Sequence, residues 1–332
     1  MSDDRNEEAM SDNETYHARP EFSNSDASIL AKPNGPQLFK AIKIDRTMRS
    51  EPTEAMDLGS MVHTDSLEPH TFWDRYVYAM EGLNRVSTAG KIAYLCFEEN
   101  RSLGELYAMK PEGINRRTKL GREEYAAFLE IAGDRKVISN DDWDTAQAYL
   151  DFLNVNKEAK RTIVKPEDVA KAKRCSEALK SHNQIGELLR IPDAMIEKEF
   201  YFEWLGVPCR SKLDWCHLDA SVILDIKTCQ DASPAFNRTM WDRGYHRQAA
   251  FYRQAVLAMT GVECRFLFAC VDTNKPHSVG LYEPDNDTLS RGHEECEALL
   301  IEYQTRYESG DWLQEWSKGI VPIGLPAYAR KL

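Results

Sequence analysis

Three segments with strand patterning follow one another almost without interruption between Ile196 and Thr228. They read IEKEFYFEWLG, CRSKLDWC and ASVILDIKT, and they alternate apolar with polar residues or are rich in β-branched residues, which is typical of strands. The following residues predict a helix, two further strands and a closing helix, in this order: about Thr239 to Met259, RFLFACV, SVGLY, and about Glu294 to Tyr307. The pattern therefore predicts an α/β (α+β) fold in which helices flank a central mixed sheet.

The part of the chain before these strands is predicted to be mainly helical. Its apolar residues recur at intervals of three and four, as at Tyr125, Phe128 and Leu129, which is the spacing of an amphipathic helix. A length of 332 residues is compatible with one large domain or with two small ones. We expect a single domain over residues 25–332, with the mainly helical portion at 25–190 and the sheet core with its closing helices at 191–332.

Acidic residues are concentrated at the N-terminus. Residues 1–26 contain eight acids and two bases, a balance of −6 within a net charge of −12. Such segments are usually solvated, so we expect residues 1–24 to form an acidic, disordered tail. The negative net charge argues against a nucleic-acid partner, but this tail accounts for half of it, so the argument is weak for the rest of the chain.

No segment is apolar for long enough to predict a membrane span. The longest uninterrupted apolar runs, Ile92–Phe97 and Phe266–Val271, have six residues each, whereas a spanning helix needs about 20. The acidic N-terminus lacks the basic and apolar regions of a signal peptide, so we expect a cytoplasmic protein without a membrane partner. The eight cysteines include no CxxC pair, which argues against a zinc ribbon and favours reduced packing residues.

The strongest indication of chemistry is Asp214, followed eleven residues later by Asp225-Ile226-Lys227. Residues i and i+2 of a strand project from the same face, so Asp225 and Lys227 should point together, and an adjacent antiparallel strand can place Asp214 beside them. Two carboxylates and an ammonium are costly to bury unless they bind one another and an oxygen-seeking cation, which predicts a Mg²⁺ site. The alternative is that the aspartates are turn residues and Lys227 is a solvated strand end.

Glu197 and His63 could join this site. Glu197 lies on the strand before Asp214 and could supply a third carboxylate, or it could be an exposed strand residue. His63 shares an apolar helix face with Met56 and Leu67, where a histidine is usually an ordinary core residue. Gly59 on that face would allow another backbone to approach closely, which suits a histidine directed at a metal or a phosphate.

The helix predicted after the DxK strand carries a stripe with a spacing of four, three and four, formed by Trp241, Tyr245, Gln248 and Tyr252. Aromatic stripes are usually core, but the buried amide of Gln248 needs a polar partner, which the candidate site would supply. Arg243 and Arg247, at i and i+4 on a neighbouring face, could follow a phosphate backbone.

Taken together, the ordered segments resemble the PD-(D/E)xK nucleases and, within them, the RecE-like (exodeoxyribonuclease VIII) exonucleases of bacterial and phage recombination. The resembling segments are SDASILAKPNGPQLFK, TEAMDLGSMVHTDSLEP, INRRTKLGREEYAAF, IEKEFYFEWLGVPCRSKLDW, VILDIKTCQDASPAF and YHRQAAFY. The resemblance implies a restriction-endonuclease-like core with the order αβββαβ. It also implies an active site with two kinds of member, the central residues His63, Asp214, Asp225 and Lys227 and the supporting residues Glu197 and Gln248.

The chain departs from the family pattern at two places. The usual Arg-Pro-Asp reads Lys212-Leu213-Asp214, which removes the proline but keeps a basic residue two positions before the aspartate. A related branch holds an iron–sulfur cluster through a close C-terminal group of cysteines. Here the last two cysteines, Cys270 and Cys296, are far apart, so no iron–sulfur cluster is expected.

The activity implied by the resemblance is a Mg²⁺-dependent exonuclease, with Mn²⁺ as an alternative metal, that degrades linear double-stranded DNA from its ends in the 5′ to 3′ direction. Asp214, Asp225 and the Ile226 carbonyl would hold the metal, with His63 or Glu197 completing its ligands. Lys227 would act on the attacking water. The alternatives are a catalytically inactive module that binds DNA ends or a protein partner, and a structure-specific endonuclease with the same fold.

The partners implied are double-stranded DNA ends, further copies of the chain in a homo-oligomeric ring, and a single-strand annealing recombinase (RecT-like). Residues 155–174 hold seven bases and three acids, so they could bind phosphates or simply form a solvated helix face. The candidate DNA-binding residues are Arg116, Arg117, Lys119, Arg122, Lys171, Lys173, Arg174, Arg243, Arg247 and Tyr252.

Overall fold

The computed structural model describes residue 16 and residues 19–48, 54–108, 139–315, 317 and 319–324. Most of the expected acidic tail, residues 1–24, lies outside these residues. Among the residues of this segment that are described, Phe22 and Ser23 form a strand and Tyr16 is buried.

The described residues divide into two compact units. The helical unit runs from Glu68 to Lys173, and the sheet unit combines the residues before Glu68 with those from Arg174 onward. None of the described helices is both long enough and apolar enough to cross a membrane.

The helices, in chain order, are α1 (Asn24–Leu30), α2 (Gly35–Phe39), α3 (Glu54–Leu67), α4 (Phe72–Arg75), α5 (Thr88–Glu98), α6 (Leu103–Ala108), α7 (Asn140–Glu158), α8 (Pro166–Ser181), α9 (Asn183–Leu189), α10 (Phe236–Asp242), α11 (Tyr245–Thr260) and α12 (Asn286–Ser309). The strands are β1 (Phe22–Ser23), β2 (Tyr76–Tyr78), β3 (Thr162–Val164), β4 (Met195–Trp204), β5 (Val207–His217), β6 (Val222–Cys229), β7 (Arg265–Asp272) and β8 (Val279–Tyr282). A π-helical turn at Lys40–Ile44 follows α2, and a 3₁₀ turn at Pro69–Thr71 precedes α4.

The sheet unit is built on a mixed sheet with the order β1-β5-β6-β7-β8, and β4 pairs along the other edge of β5. The pairs β4–β5, β5–β6 and β7–β8 are antiparallel, whereas β6 and β7 run parallel and β1 pairs in parallel with the start of β5. A parallel pair needs a crossover connection. Helices α10 and α11 supply it, so α11 returns across the sheet and contacts β4, β5 and β7.

The core of the sheet unit lies along β6 and β7, whose buried residues are apolar apart from Asp225. Residues 222–226 of β6 and 266–271 of β7 are all buried, as expected for strands that are covered on both faces. Helix α3 contacts β5 and β6, so it closes the region next to the C-terminal half of β6. The helical unit has its own core, formed mainly by the apolar faces of α5 and α7.

The three consecutive strands, the strand after the helix and the mixed sheet flanked by helices are confirmed. The single helix predicted over Thr239 to Met259 is wrong. Gly244 adopts a left-handed conformation, with φ at 68°, and separates α10 from α11. The closing helix also begins earlier than predicted, at Asn286, because the Asp285 side chain caps it by accepting from the Thr288 N–H. The mainly helical portion, residues 25–190, further contains the short strands β2 and β3.

Candidate metal centre and active site

The two aspartates meet because β5 and β6 form an antiparallel pair. The ladder runs from His217↔Val222 to Trp215↔Leu224, so Asp214 and Asp225 occupy the next positions on the two strands. The Asp214 carboxylate turns toward β6 and accepts from the Ile226 N–H, with Oδ2 at 2.9 Å. This hydrogen bond fixes the first carboxylate beside the backbone that carries the second one.

Asp225 and Lys227 project from the same face of β6, as the strand period requires. The Lys227 Nζ lies 2.6 Å from Asp225 Oδ2, and the Asp225 side chain is only 1% exposed. Gln248 of α11 donates from Nε2 to the other Asp225 oxygen, Oδ1, at 3.1 Å. The buried carboxylate is therefore held from both sides, by a charge on its own strand and by an amide on the crossing helix.

His63 bridges α3 and the end of the β5–β6 pair. Its Nε2 lies 2.8 Å from the Ile226 carbonyl oxygen, and its Nδ1 lies 3.3 Å from Asp214 Oδ2. A carbonyl oxygen only accepts, so Nε2 carries a proton and donates to it. An imidazolium can donate to the carbonyl and to the carboxylate at the same time.

The pKa values follow from this arrangement. Burial favours the neutral imidazole of His63, but the Asp214 carboxylate outweighs burial and raises the pKa of His63 to about 9. Burial opposes ionisation of Asp214 as well, yet His63 and then Lys227 hold its pKa below the usual value. Burial raises the pKa of Asp225 to about 6 in spite of Lys227. Burial disfavours a charged Lys227, but Asp225 and Asp214 raise its pKa above the usual value.

Glu197 comes to this site through an irregularity in β4. Ile196 pairs with Trp215 and Lys198 pairs with Leu213, but Glu197 between them makes no ladder pair and has a φ of 50°. The left-handed region is costly for a residue with a Cβ, and such strain is concentrated at functional sites. Its carboxylate lies 3.0 Å from the ammonium of Lys212, a contact the sequence analysis did not anticipate.

The donor atoms of His63, Glu197 and Asp214 lie within 4.8 Å of one another, a spacing that can hold a metal ion. Two carboxylates and one imidazole converge from three different elements, which fits a divalent cation with oxygen and nitrogen ligands. The Asp225 carboxylate and the Ile226 carbonyl border this group but are bound by Lys227, Gln248 and His63. The residues present therefore fit a divalent metal.

Some surroundings of the site differ from the sequence-based expectation. Met56 is 57% exposed, so the face of α3 that carries His63 is not uniformly buried. A Cβ added at Gly59 would meet the Thr228 side-chain oxygen at 3.4 Å, so no backbone approaches closely there. The sequence predicts Tyr245 only as a member of an aromatic stripe. In the structure, the Lys227 Nζ lies over the Tyr245 ring, 4.7 Å from its centroid. No motif could have indicated this contact.

The predicted stripe on the helix after β6 is partly wrong, because its members lie on two helices. Trp241 ends up on α10, where it is 52% exposed and its ring stacks on His246 at 4.5 Å. Gln248 and Tyr252 remain together on α11 and face the site. Burial raises the pKa of Tyr252 well above its usual value, and the Gln248 amide lowers it by a smaller amount.

The candidate DNA-binding arginines near the site do not share a helix face, which corrects the i, i+4 argument. Arg243 is exposed at the C-terminal cap of α10, whereas Arg247 lies on α11 and donates from Nη1 to Glu295 Oε2 at 2.8 Å. Glu295 therefore balances the charge of Arg247, whereas the Arg243 side chain is exposed.

The basic candidates elsewhere fall into two groups. Arg116, Arg117, Lys119 and Arg122 lie outside the described residues. Lys171, Lys173 and Arg174 lie on α8. Lys171 and Lys173 are half-buried, whereas Arg174 is exposed and donates from Nε to His277 Nε2 at 3.4 Å.

Comparison with known proteins gives a family match and a fold match. Residues 21–312 match the model of a family described as "PDDEXK-like domain of unknown function (DUF3799)". The chain is also similar to a solved structure from Eubacterium rectale, described as a "putative exonuclease", with a TM-score of 0.52 and 12% identity over 97% of this chain and 98% of that one. At this identity the likeness concerns the fold alone. The search of curated proteins returned no match.

Proposed function

Because the chain belongs to the family of PDDEXK-like domains, we propose that it is a Mg²⁺-dependent exodeoxyribonuclease that hydrolyses linear double-stranded DNA from its ends. The observation that carries the proposal is the convergence of Asp214, Asp225 and Lys227 at the end of the β5–β6 pair, with His63 opposite. A protein that only binds DNA has no need to bury two carboxylates together.

Asp214, Asp225 and the Ile226 carbonyl would hold the metal, with His63 or Glu197 as a further ligand. When bound, a divalent metal lowers the pKa of a water molecule and neutralises charge on the scissile phosphate. Gln248 acts as a positioning residue, because its donation to Asp225 Oδ1 fixes the rotamer of that carboxylate.

Lys227 supplies the charge that complements the transition state. Its raised pKa keeps the ammonium protonated at neutral pH, and Asp225 and the Tyr245 ring fix its position. From there it can donate to the attacking water or to a phosphate oxygen as negative charge develops. In the reaction a water oxygen forms a bond to phosphorus, the P–O ester bond breaks, and the leaving oxygen gains a proton.

The finer assignments rest on the RecE-like sequence resemblance. They comprise digestion in the 5′ to 3′ direction, assembly into a ring around DNA, and cooperation with a RecT-like single-strand annealing recombinase during DNA recombination. Mn²⁺ is proposed as an alternative metal.

The proposal is tested by comparing Lys227→Ala with Lys198→Ala, which removes an exposed lysine from β4 of the same sheet. Loss of a group that acts in the transition state lowers the rate and leaves ground-state binding nearly unchanged. We expect Lys227→Ala to bind linear duplex DNA in Ca²⁺ within a few-fold of wild type, but to degrade it at least ~100-fold more slowly in Mg²⁺. Lys198→Ala should match wild type in both assays. A normal single-turnover rate for Lys227→Ala would remove this lysine from the mechanism.

A further inference from the structure

Four aromatic residues cluster at the start of the helical unit. Phe72 and Trp73 belong to α4, and Tyr76 and Tyr78 belong to β2. The ring centroids of Trp73 lie 5.1 Å from Phe72 and 4.9 Å from Tyr78, and those of Phe72 and Tyr76 lie 4.8 Å apart. These contacts make one continuous aromatic group on a short helix and a short strand.

The group is buried on one side and exposed on the other. Phe72 and Tyr76 are 1% and 6% exposed, whereas Trp73 and Tyr78 are both 45% exposed. The parallel pairing of β2 with β3, with Tyr78 opposite Val164, fixes the backbone that carries Tyr78. Large apolar rings that stay exposed while anchored on a rigid base are typical of an interaction site rather than of a core.

A lysine accompanies the exposed rings. The Lys173 ammonium lies 5.5 Å from the Trp73 centroid and 5.7 Å from the Phe72 centroid, close enough for cation–π attraction. Within the described residues, Lys173 has no carboxylate partner. Residues 155–174 hold seven bases and three acids in a chain with a net charge of −12, so this stretch favours an anionic partner.

We propose that the surface formed by Trp73, Tyr78 and Lys173, here called the aromatic–basic patch, binds single-stranded nucleic acid. An aromatic ring can stack on any base, and a lysine ammonium can bind the neighbouring phosphates of the strand. Base faces are hidden in a duplex, so exposed rings favour an unpaired strand. The planes of Trp73 and Tyr78 are inclined by 57°, which makes them two separate stacking platforms.

This patch is distinct from the metal centre, and binding there needs no cleavage. It goes beyond the proposed nuclease activity by adding a site for an unpaired strand, such as the strand that remains when an exonuclease removes its complement. Binding is therefore measured on the full chain in EDTA, by the fluorescence anisotropy of labelled oligo(dT) and, in parallel, oligo(U). The parallel titrations distinguish a DNA strand from an RNA strand, and Trp73-dependent binding of either one supports the proposal.

Trp73→Leu keeps an apolar side chain but removes the ring, and Tyr78→Ala removes the second platform. We expect each substitution to weaken binding about 10-fold, as for the loss of one stacked base. The control is Tyr307→Ala, which removes a ring that is 65% exposed. The Tyr307 ring also contacts a second tyrosine, Tyr303, at 5.7 Å between centroids, but no lysine of the described residues lies over it. This variant should bind like wild type.

Lys173→Gln tests the charge separately. Loss of one phosphate contact should reduce the slope of log affinity against log salt by about 0.7, and Lys173→Arg should preserve the slope. Wild-type affinity in both Trp73→Leu and Tyr78→Ala, with folding verified by circular dichroism, would overturn the proposal. Stronger competition by duplex than by single strands would also overturn it. Digestion of linear duplex by wild type in Mg²⁺ is measured in a separate assay. The single-strand binding proposal and the nuclease proposal can therefore fail independently.

Discussion

At the scale of single residues, the metal-free site balances its charges with its own side chains. Asp214 faces the imidazole of His63, and Asp225 faces the ammonium of Lys227. Each buried carboxylate thus has a cationic partner, which offsets the cost of desolvation. Folding raises the pKa of His63 from 6.5 to about 9, so its proton should be visible in the stability of the protein.

The first prediction concerns the pH dependence of the metal-free protein. Folding raises the pKa of His63 from 6.5 to about 9, so its contribution to the free energy of unfolding is complete below pH 6.5 and is lost as the pH rises through about 9. In EDTA, wild type should lose on the order of 2 kcal/mol of unfolding free energy over this window. His63→Gln should lose clearly less, whereas His70→Gln, at an exposed position, should behave as wild type does.

The measurement is urea denaturation at several pH values. Asp225, whose pKa is raised to about 6, affects stability at lower pH. Its contribution to the free energy of unfolding is complete below pH 3.8 and is lost as the pH rises through about 6. Asp225 therefore adds little to the change between pH 6.5 and 9. Burial raises the pKa of cysteines such as Cys96 and Cys209, and this effect is common to both proteins, so the difference between wild type and His63→Gln reports His63. Parallel curves for wild type and His63→Gln in that window would show that His63 is not paired with Asp214.

At the scale of elements, strand β4 delivers Glu197 to the site by departing from regular geometry. The positive φ of Glu197 removes it from the ladder between two normal pairs. The cost of a left-handed conformation is about 1–2 kcal/mol for a residue with a Cβ, whereas the extra backbone entropy of glycine costs about 0.5–1 kcal/mol. Strain is therefore the larger of the two effects at this position.

The second prediction uses two variants that both remove the Glu197 carboxylate. Glu197→Gly should be more stable than Glu197→Ala by about 0.5–1 kcal/mol, measured by chemical denaturation in EDTA. The control pair is at Glu203, an exposed position of the same strand with ordinary backbone geometry, where glycine should be less stable than alanine. If alanine were the more stable replacement at position 197, the strained conformation would not exist in solution.

Other elements show how far sequence patterns can predict the fold. Strands β4 to β7 were predictable because buried strands leave long apolar or alternating runs. The break at Gly244 was not, because a glycine is tolerated inside a helical pattern and the apolar period continues on both sides of it. The short strands β1, β2 and β3, of two or three residues, leave no period to detect.

At the scale of the whole molecule, the site combines residues that local rules bring together with residues that only tertiary folding brings together. Asp225 and Lys227 could be placed side by side from the strand period, and Asp214 from an adjacent antiparallel strand. The bond from His63 to the Ile226 carbonyl spans 163 positions, and only the packing of α3 on the sheet creates it. For His63 the sequence therefore identified a candidate residue, but not its contacts.

The most direct test of the proposed activity compares two forms of one duplex DNA in Mg²⁺, the linear form and the covalently closed circle. A nuclease that starts at ends must degrade the linear form and leave the closed circle intact, and Asp225→Asn must degrade neither. Digestion of 5′-labelled linear DNA with early release of the label would further support the 5′ to 3′ direction. Cleavage of the closed circle by wild type, or an unchanged rate for Asp225→Asn, would contradict the account.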